Sequence, residues 1–213
     1  MRPVRVSVGP LATAGTTKVC TSQTPLAAGN LTINGTAASG GVATLDTYRR
    51  VLLTFAADES ARTFVVYGTG RDGTQYETVA GAASSAYTAL DYLTVTRISI
   101  DAASAGAITV GTNGIASSAW VPLDVNGPPQ LSLQVDLSGT INATVQQTLN
   151  DVWTPTAKPA DYWVNHADSN LVAMTSGHIQ GNYAYVPAAT RLTLNSGTGS
   201  AVFTVVQPGP SYL

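Results

Sequence analysis

Residues 97–108 read Arg97-Ile-Ser-Ile-Asp-Ala-Ala-Ser-Ala-Gly-Ala-Ile108, and residues 191–202 read Arg191-Leu-Thr-Leu-Asn-Ser-Gly-Thr-Gly-Ser-Ala-Val202. Set side by side without a gap, the two segments keep the chemical type at every position. Each then runs into Thr-Val, directly at Thr109-Val110 and after Phe203 at Thr204-Val205. Arginine, an alternating strand, about six small or turn-forming residues and a second strand make the pattern of a β-hairpin. A looser third version starts at Arg50-Val51-Leu52-Leu53-Thr54-Phe55 and resumes at Phe64-Val65-Val66. The repetition predicts an all-β protein of two tandem antiparallel β-sandwich domains, jelly-roll or Ig-like in kind.

Working outward, the strands recur every ~8–12 residues with turn residues between them, as in sandwiches and barrels. An opening strand over about Arg2–Val8 ends at Gly9-Pro10. Leu31-Thr32-Ile33 meets Asn34-Gly35, a sequence suited to a type I′ turn because both residues tolerate positive φ. Further turns are expected at Gly40-Gly41, Asp58-Glu59-Ser60 and Arg71-Asp72-Gly73, and a short helical turn at Ser84–Tyr92. Leu131-Ser132-Leu133-Gln134-Val135-Asp136-Leu137 alternates strictly, with its apolar residues on one face. The pattern breaks at Asn126-Gly127-Pro128-Pro129, where two prolines remove ladder donors. That break predicts domains at 1–125 and 126–213.

Charged residues are 10 % of the 213, and the net charge is −2. Interspersed charge keeps freely diffusing proteins apart, so a surface this poor in it suits a protein packed against neighbours. No Lys/Arg cluster exists to neutralise phosphates, which argues against nucleic-acid binding. No stretch approaches the ~20 apolar residues of a membrane span, and the first residues lack the apolar core of a secretory signal, so synthesis in a cytoplasm without export by a classical signal is expected. Cys20 stands alone in the sequence, which leaves no internal disulfide and predicts a small buried or loop residue.

Motifs for chemistry are few. The chain has no nucleophile elbow, no P-loop and no dinucleotide-binding glycine fingerprint. His166, Asp168 and His178 have ligand chemistry but no recognised spacing, so neither metal nor cofactor is expected and no catalytic residue is nominated. Arg50, Arg97 and Arg191 stand at equivalent places before strands, where they would cap a strand end or pair with a carboxylate across the sheet. Trp153, Tyr162, Trp163, Tyr183 and Tyr185 crowd into one third of the chain. They are the candidate residues for a subunit interface or a glycan-stacking platform.

The segments Gln23–Gly35, Ser39–Asp46, Ala107–Gly114, Leu133–Asp136, Gln180–Tyr185 and Asn195–Ala201 resemble a family of tailed-bacteriophage virion proteins. The resemblance touches both halves of the chain and consists of turn-and-strand phrases. It implies a non-enzymatic structural protein: a capsid decoration or cement protein, or a head-to-tail accessory component anchoring neck or fibre. Its partners would be the major capsid protein or the neck and tail proteins of the same virion, together with further copies of itself. A carbohydrate-binding or host-adsorption module on the virion is the alternative expectation.

Overall fold

The computed structural model describes residues 3–126, 130–152 and 163–207. They are all-β and the sheets are antiparallel, with a single turn of 3-10 helix at Ser169–Leu171. No helix among the described residues is long and apolar enough to cross a membrane. The chain forms two compact units, Thr13–Ile115 and a discontinuous one made of Met1–Ala12 with Ala116–Leu213. These units cut the chain differently from the expected 1–125 and 126–213. The opening strand is the reason: β1 (Val4–Val8) pairs along its whole length with residues 201–205, which carries it into the C-terminal unit. Of the expected boundary, Gly127-Pro128-Pro129 lies outside the described residues.

The unit Thr13–Ile115 contains β2 (Gly15–Gln23), β3 (Gly29–Asn30), β4 (Ala38–Ser39), β5 (Val42–Phe55), β6 (Thr63–Gly70), β7 (Gly73–Ala80), β8 (Ser85–Ile100) and most of β9 (Ile108–Ser117). Their order is β2-β9-β5-β8-β6-β7, with β3 beside β8 and β4 beside β5. Register shifts between Thr44 and Arg49, and between Arg50 and Leu52, bend β5. The expected helical turn at Ser84–Tyr92 is instead the first half of β8, fixed as strand by pairing with β5 from Leu52↔Tyr87 to Thr54↔Ser85. Further along, β8 turns its ladder to β6. The sheet thereby curls until Gln75 and Glu77 of β7 reach the backbone of β8 at Asp91, Ala89 and Leu90. Inside the curl lie Val51, Leu53, Phe64, Val66, Tyr92 and Ile98, all fully buried. Each large apolar side chain so buried contributes about 1.5–3 kcal/mol.

The type I′ turn sits at Gly40-Gly41, with φ of 58° and 78°, and joins β4 to β5. Asn34-Gly35 makes no hairpin. The Asn34 side chain accepts hydrogen bonds from the backbone N–H and hydroxyl of Thr21, and Gly35 lies so close to β2 that an added Cβ would come within 2.3 Å of the Thr17 carbonyl.

The second unit holds β1, β10 (Val121–Pro122), β11 (Leu131–Ser138), β12 (Ile141–Thr148), β13 (Val164–Asn165), β14 (His178–Tyr183), β15 (Ala189–Gly197) and β16 (Ser200–Val206). One sheet runs β1-β16-β11-β14; opposite it, β13, β12 and β15 pair in sequence, and β10 also pairs with β15. Leu131, Leu133, Val135, Phe203 and Val205 of the first sheet share a core with Ala143, Val145, Leu192 and Leu194 of the second, which makes this unit a two-layer sandwich.

The doubled segment is not a hairpin in either copy. In the first, β5 lies between β8 and β9; in the second, β15 and β16 belong to opposite sheets of the sandwich. The looser third version behaves alike, with β8 between β5 and β6. In the second copy Gly197 takes φ 98°, and the N–H groups of Thr198 and Gly199 both donate to the Thr140 carbonyl, which turns the chain across the core. A strand pair that faces one core across layers shows the same alternation as a strand pair side by side.

Candidate functional site

Of the five aromatic residues singled out above, Trp153 and Tyr162 lie outside the described residues. The other three gather at one end of the sandwich unit. Tyr183, the last residue of β14, is 5 % exposed, and its hydroxyl shares a 2.9 Å hydrogen bond with that of Thr190. Burial pushes its phenol far above the ordinary tyrosine range. Its ring lies against His166 (4.6 Å between centroids) and Tyr185 (6.3 Å). His166 is buried, which lowers its pKa, and its Nδ1 accepts the Asp168 N–H at 3.0 Å. An imidazole so placed is neutral at pH 7 and carries its proton on Nε2. Tyr185 is exposed, and its hydroxyl accepts from Gln147 Nε2 at 2.5 Å. Trp163 is half-buried beneath the Arg191 guanidinium, 4.4 Å from its ring centre. Arg191 in turn donates from Nε and Nη2 to Gln146 Oε1. Tyr185 therefore offers an open ring, and Tyr183 does not.

The outward side chains of β11, β14 and β16 form a polar face on the same unit. Gln180 Nε2 donates to Gln134 Oε1 at 3.0 Å, Gln134 Nε2 donates to Asp136 at 2.9 Å, and His178 Nδ1 meets the same carboxylate at 2.7 Å. The His178 contact holds the Asp136 carboxyl below the usual carboxylate range. A shallow hollow of about 370 Å³ lies between Ser132, Gln134, Gln180 and Thr204. The trio His166, Asp168 and His178 does not assemble, since His166 turns to Tyr183 while His178 turns to Asp136. Among the described residues no three His, Cys, Asp or Glu side chains are placed to hold a metal ion.

The unit Thr13–Ile115 keeps several charges inside. Arg50 fulfils the expected pairing across the sheet: its Nε donates to Asp91 at 2.9 Å and its Nη1 to the Thr88 carbonyl. Arg97 and Arg191 stack on rings instead, 3.6 Å from the centre of Tyr67 and over Trp163. All three lie within strands rather than ahead of them. Arg49 is fully buried and binds both Asp46 oxygens and the Asn113 carbonyl. Glu59, also fully buried, accepts the Gly106 N–H. Cys20 is buried, and desolvation pushes its thiol up to about 12. The pairing of Tyr67 with Tyr76 escaped the sequence reading, although the two-residue turn at Arg71-Asp72 places them opposite one another in the hairpin of β6 and β7.

No known family and no curated protein matches this chain.

Proposed function

We propose that this chain is a non-enzymatic structural component of a tailed-phage virion, a decoration or cement protein or a head-to-tail accessory protein, working in many copies. The distribution of its charge carries the reading. Among the described residues the only exposed basic side chains are Arg5 and Arg97, while Arg49, Glu59 and Arg191 are buried. A sparsely charged surface is thus depleted further by folding. The sandwich also ends in two edge strands, β1 and β14, which take ladders from β16 and β11 respectively. Neither contains lysine, a residue that discourages edge-to-edge pairing. Weak edge and face contacts become effective when a lattice or ring presents many at once.

Quantitative mass spectrometry and electron-microscopic localisation in purified particles test the proposal. Hundreds of copies over the shell are the outcome for a decoration or cement protein. A dozen or fewer at one vertex is the outcome for a neck or tail component, and complete absence from particles refutes the proposal.

A further inference from the structure

The outer face of β8, β6 and β7 brings one arginine and two tyrosines into register. The register sets Arg97 of β8 opposite Tyr67 of β6, and Tyr67 opposite Tyr76 of β7. The three side chains form one continuous stack. The Arg97 guanidinium stands 3.6 Å over the Tyr67 ring, and the Tyr67 and Tyr76 rings are stacked with centroids 5.7 Å apart and planes inclined by 28°.

The stack ends in an open ring. Tyr76 lies on β7, whose ladder partner is β6, and Tyr67 covers one of its faces. The residue is still 55 % exposed, so the uncovered area is its far face and its edge. On either side run rows of hydroxyls: Thr94, Thr69 and Thr74 on one, Ser99 and Thr78 on the other. The inward residues of the same strands, Phe64, Val66, Val79 and Ile98, belong to the core and hold the face rigid.

Arg97 differs from the other arginines of this unit that sit in strands. Arg49 and Arg50 are bound to carboxylates, whereas no ion pair engages Arg97 among the described residues. Stacked flat on a ring, a guanidinium directs its N–H donors sideways along the surface, where a carboxylate can take two of them. The two ends of the stack are two strands apart, about 10 Å, a span for an oligomer rather than a single small molecule.

We propose that this face binds an acidic, uronate-containing glycan, with a sugar ring on the open face of Tyr76, its hydroxyls on the threonine and serine rows, and a carboxylate on Arg97. Single-stranded nucleic acid also stacks on aromatic rings, but it brings a charge with every nucleotide and is held by a lined-up set of cations. Here the face has one exposed cation among the described residues, which matches a polymer of sparser charge. The site is independent of the assembly reading, and either can fail alone.

Affinity electrophoresis of the full chain in gels containing hyaluronate, in which a uronate alternates with a neutral sugar, dextran or neither tests the proposal, with oligo(dT) binding measured in parallel. The expected result is retardation of wild type and Tyr76→Phe by hyaluronate only, and at least a tenfold loss of apparent affinity in Tyr76→Ala and Arg97→Gln at unchanged melting temperature. If Tyr76→Ala fails to fold, Thr78→Glu, at an exposed position, must abolish retardation by placing a negative charge on the platform. Equal retardation of wild type and Arg97→Gln, equal retardation by dextran, or binding of oligo(dT) in place of hyaluronate would each overturn the proposal.

Discussion

Glu77 bridges β7 to the backbone of β8. Its two carboxylate oxygens accept the N–H groups of Ala89 (2.6 Å) and Leu90 (2.8 Å), so a side chain from β7 satisfies the backbone of β8 where the sheet curls. Removing it in Glu77→Ala strands two donors and is expected to cost about 1–3 kcal/mol in urea denaturation. Glu77→Gln should cost less, because one acceptor is retained and a partly desolvated charge is removed. Burial raises the Glu77 pKa although both N–H groups oppose that shift. A folded value above the unfolded one means that this group's contribution is complete below the ordinary Glu range and declines as pH rises through the folded value. The difference in stability between wild type and Glu77→Gln should accordingly shift against wild type on going from acid to neutral pH. At Cys20 the same desolvation acts on a thiol. Thiolate is the reactive form, so Cys20 should resist alkylation by iodoacetamide at pH 8 in the native protein and react promptly in urea. Rapid labelling of the native chain would contradict its buried position.

Turns and strand partners show where local sequence is informative. The Gly40-Gly41 turn was legible because two adjacent positive-φ residues between strands specify a two-residue hairpin. The strict alternation of 131–137 was equally legible, and β11 occupies Leu131–Ser138. Asn34-Gly35 has the same local signature as a turn, and tertiary contact decided otherwise. Two substitutions separate the cases. Gly40→Asn, in open space at φ 58°, should leave the melting temperature unchanged or raise it slightly, whereas Gly35→Ala forces a methyl group into the backbone of Thr17 and Lys18 and should lower it by several degrees. The doubled segment misled because alternation records which residues face a core and carries no information about which strand lies alongside. Its second strand is found across the sandwich or beyond an intervening strand. For the candidate sites, two of the five aromatic residues, Tyr183 and Tyr185, lie side by side, and His166, which was not among the five, packs against Tyr183. The Arg97-Tyr67-Tyr76 stack needed two registers at once. The turn at Arg71-Asp72 carries a local signal for the tyrosine pair, but the partnership of β6 with β8 crosses about 30 residues and has no local mark.

At the scale of the molecule, the discontinuous unit makes a distinct prediction. Val8 and Leu11 lie in the sandwich core, and β1 closes one edge of a sheet whose other strands come from beyond residue 130. Deleting residues 1–12 should destabilise Ala116–Leu213 while sparing Thr13–Ile115. Hydrogen exchange followed by mass spectrometry should find protection reduced in β11 and β16 and retained in β5 and β6. Uniform loss in both units would show that the two do not unfold separately. The pairing of Val4 with Val205 also has a temporal side. A ribosome emits the first strand about 200 residues before its partner exists, on the order of ten seconds or more of elongation. Throughout that interval Val4–Val8 is a nascent segment with an unfilled ladder, while from about its midpoint the intervening unit has every strand up to Ile115 available. Of the described strands the last to be made is therefore the one that seats the first, and a chain cut short before residue 201 would carry an unsatisfied β1 as a signal for chaperones and proteases.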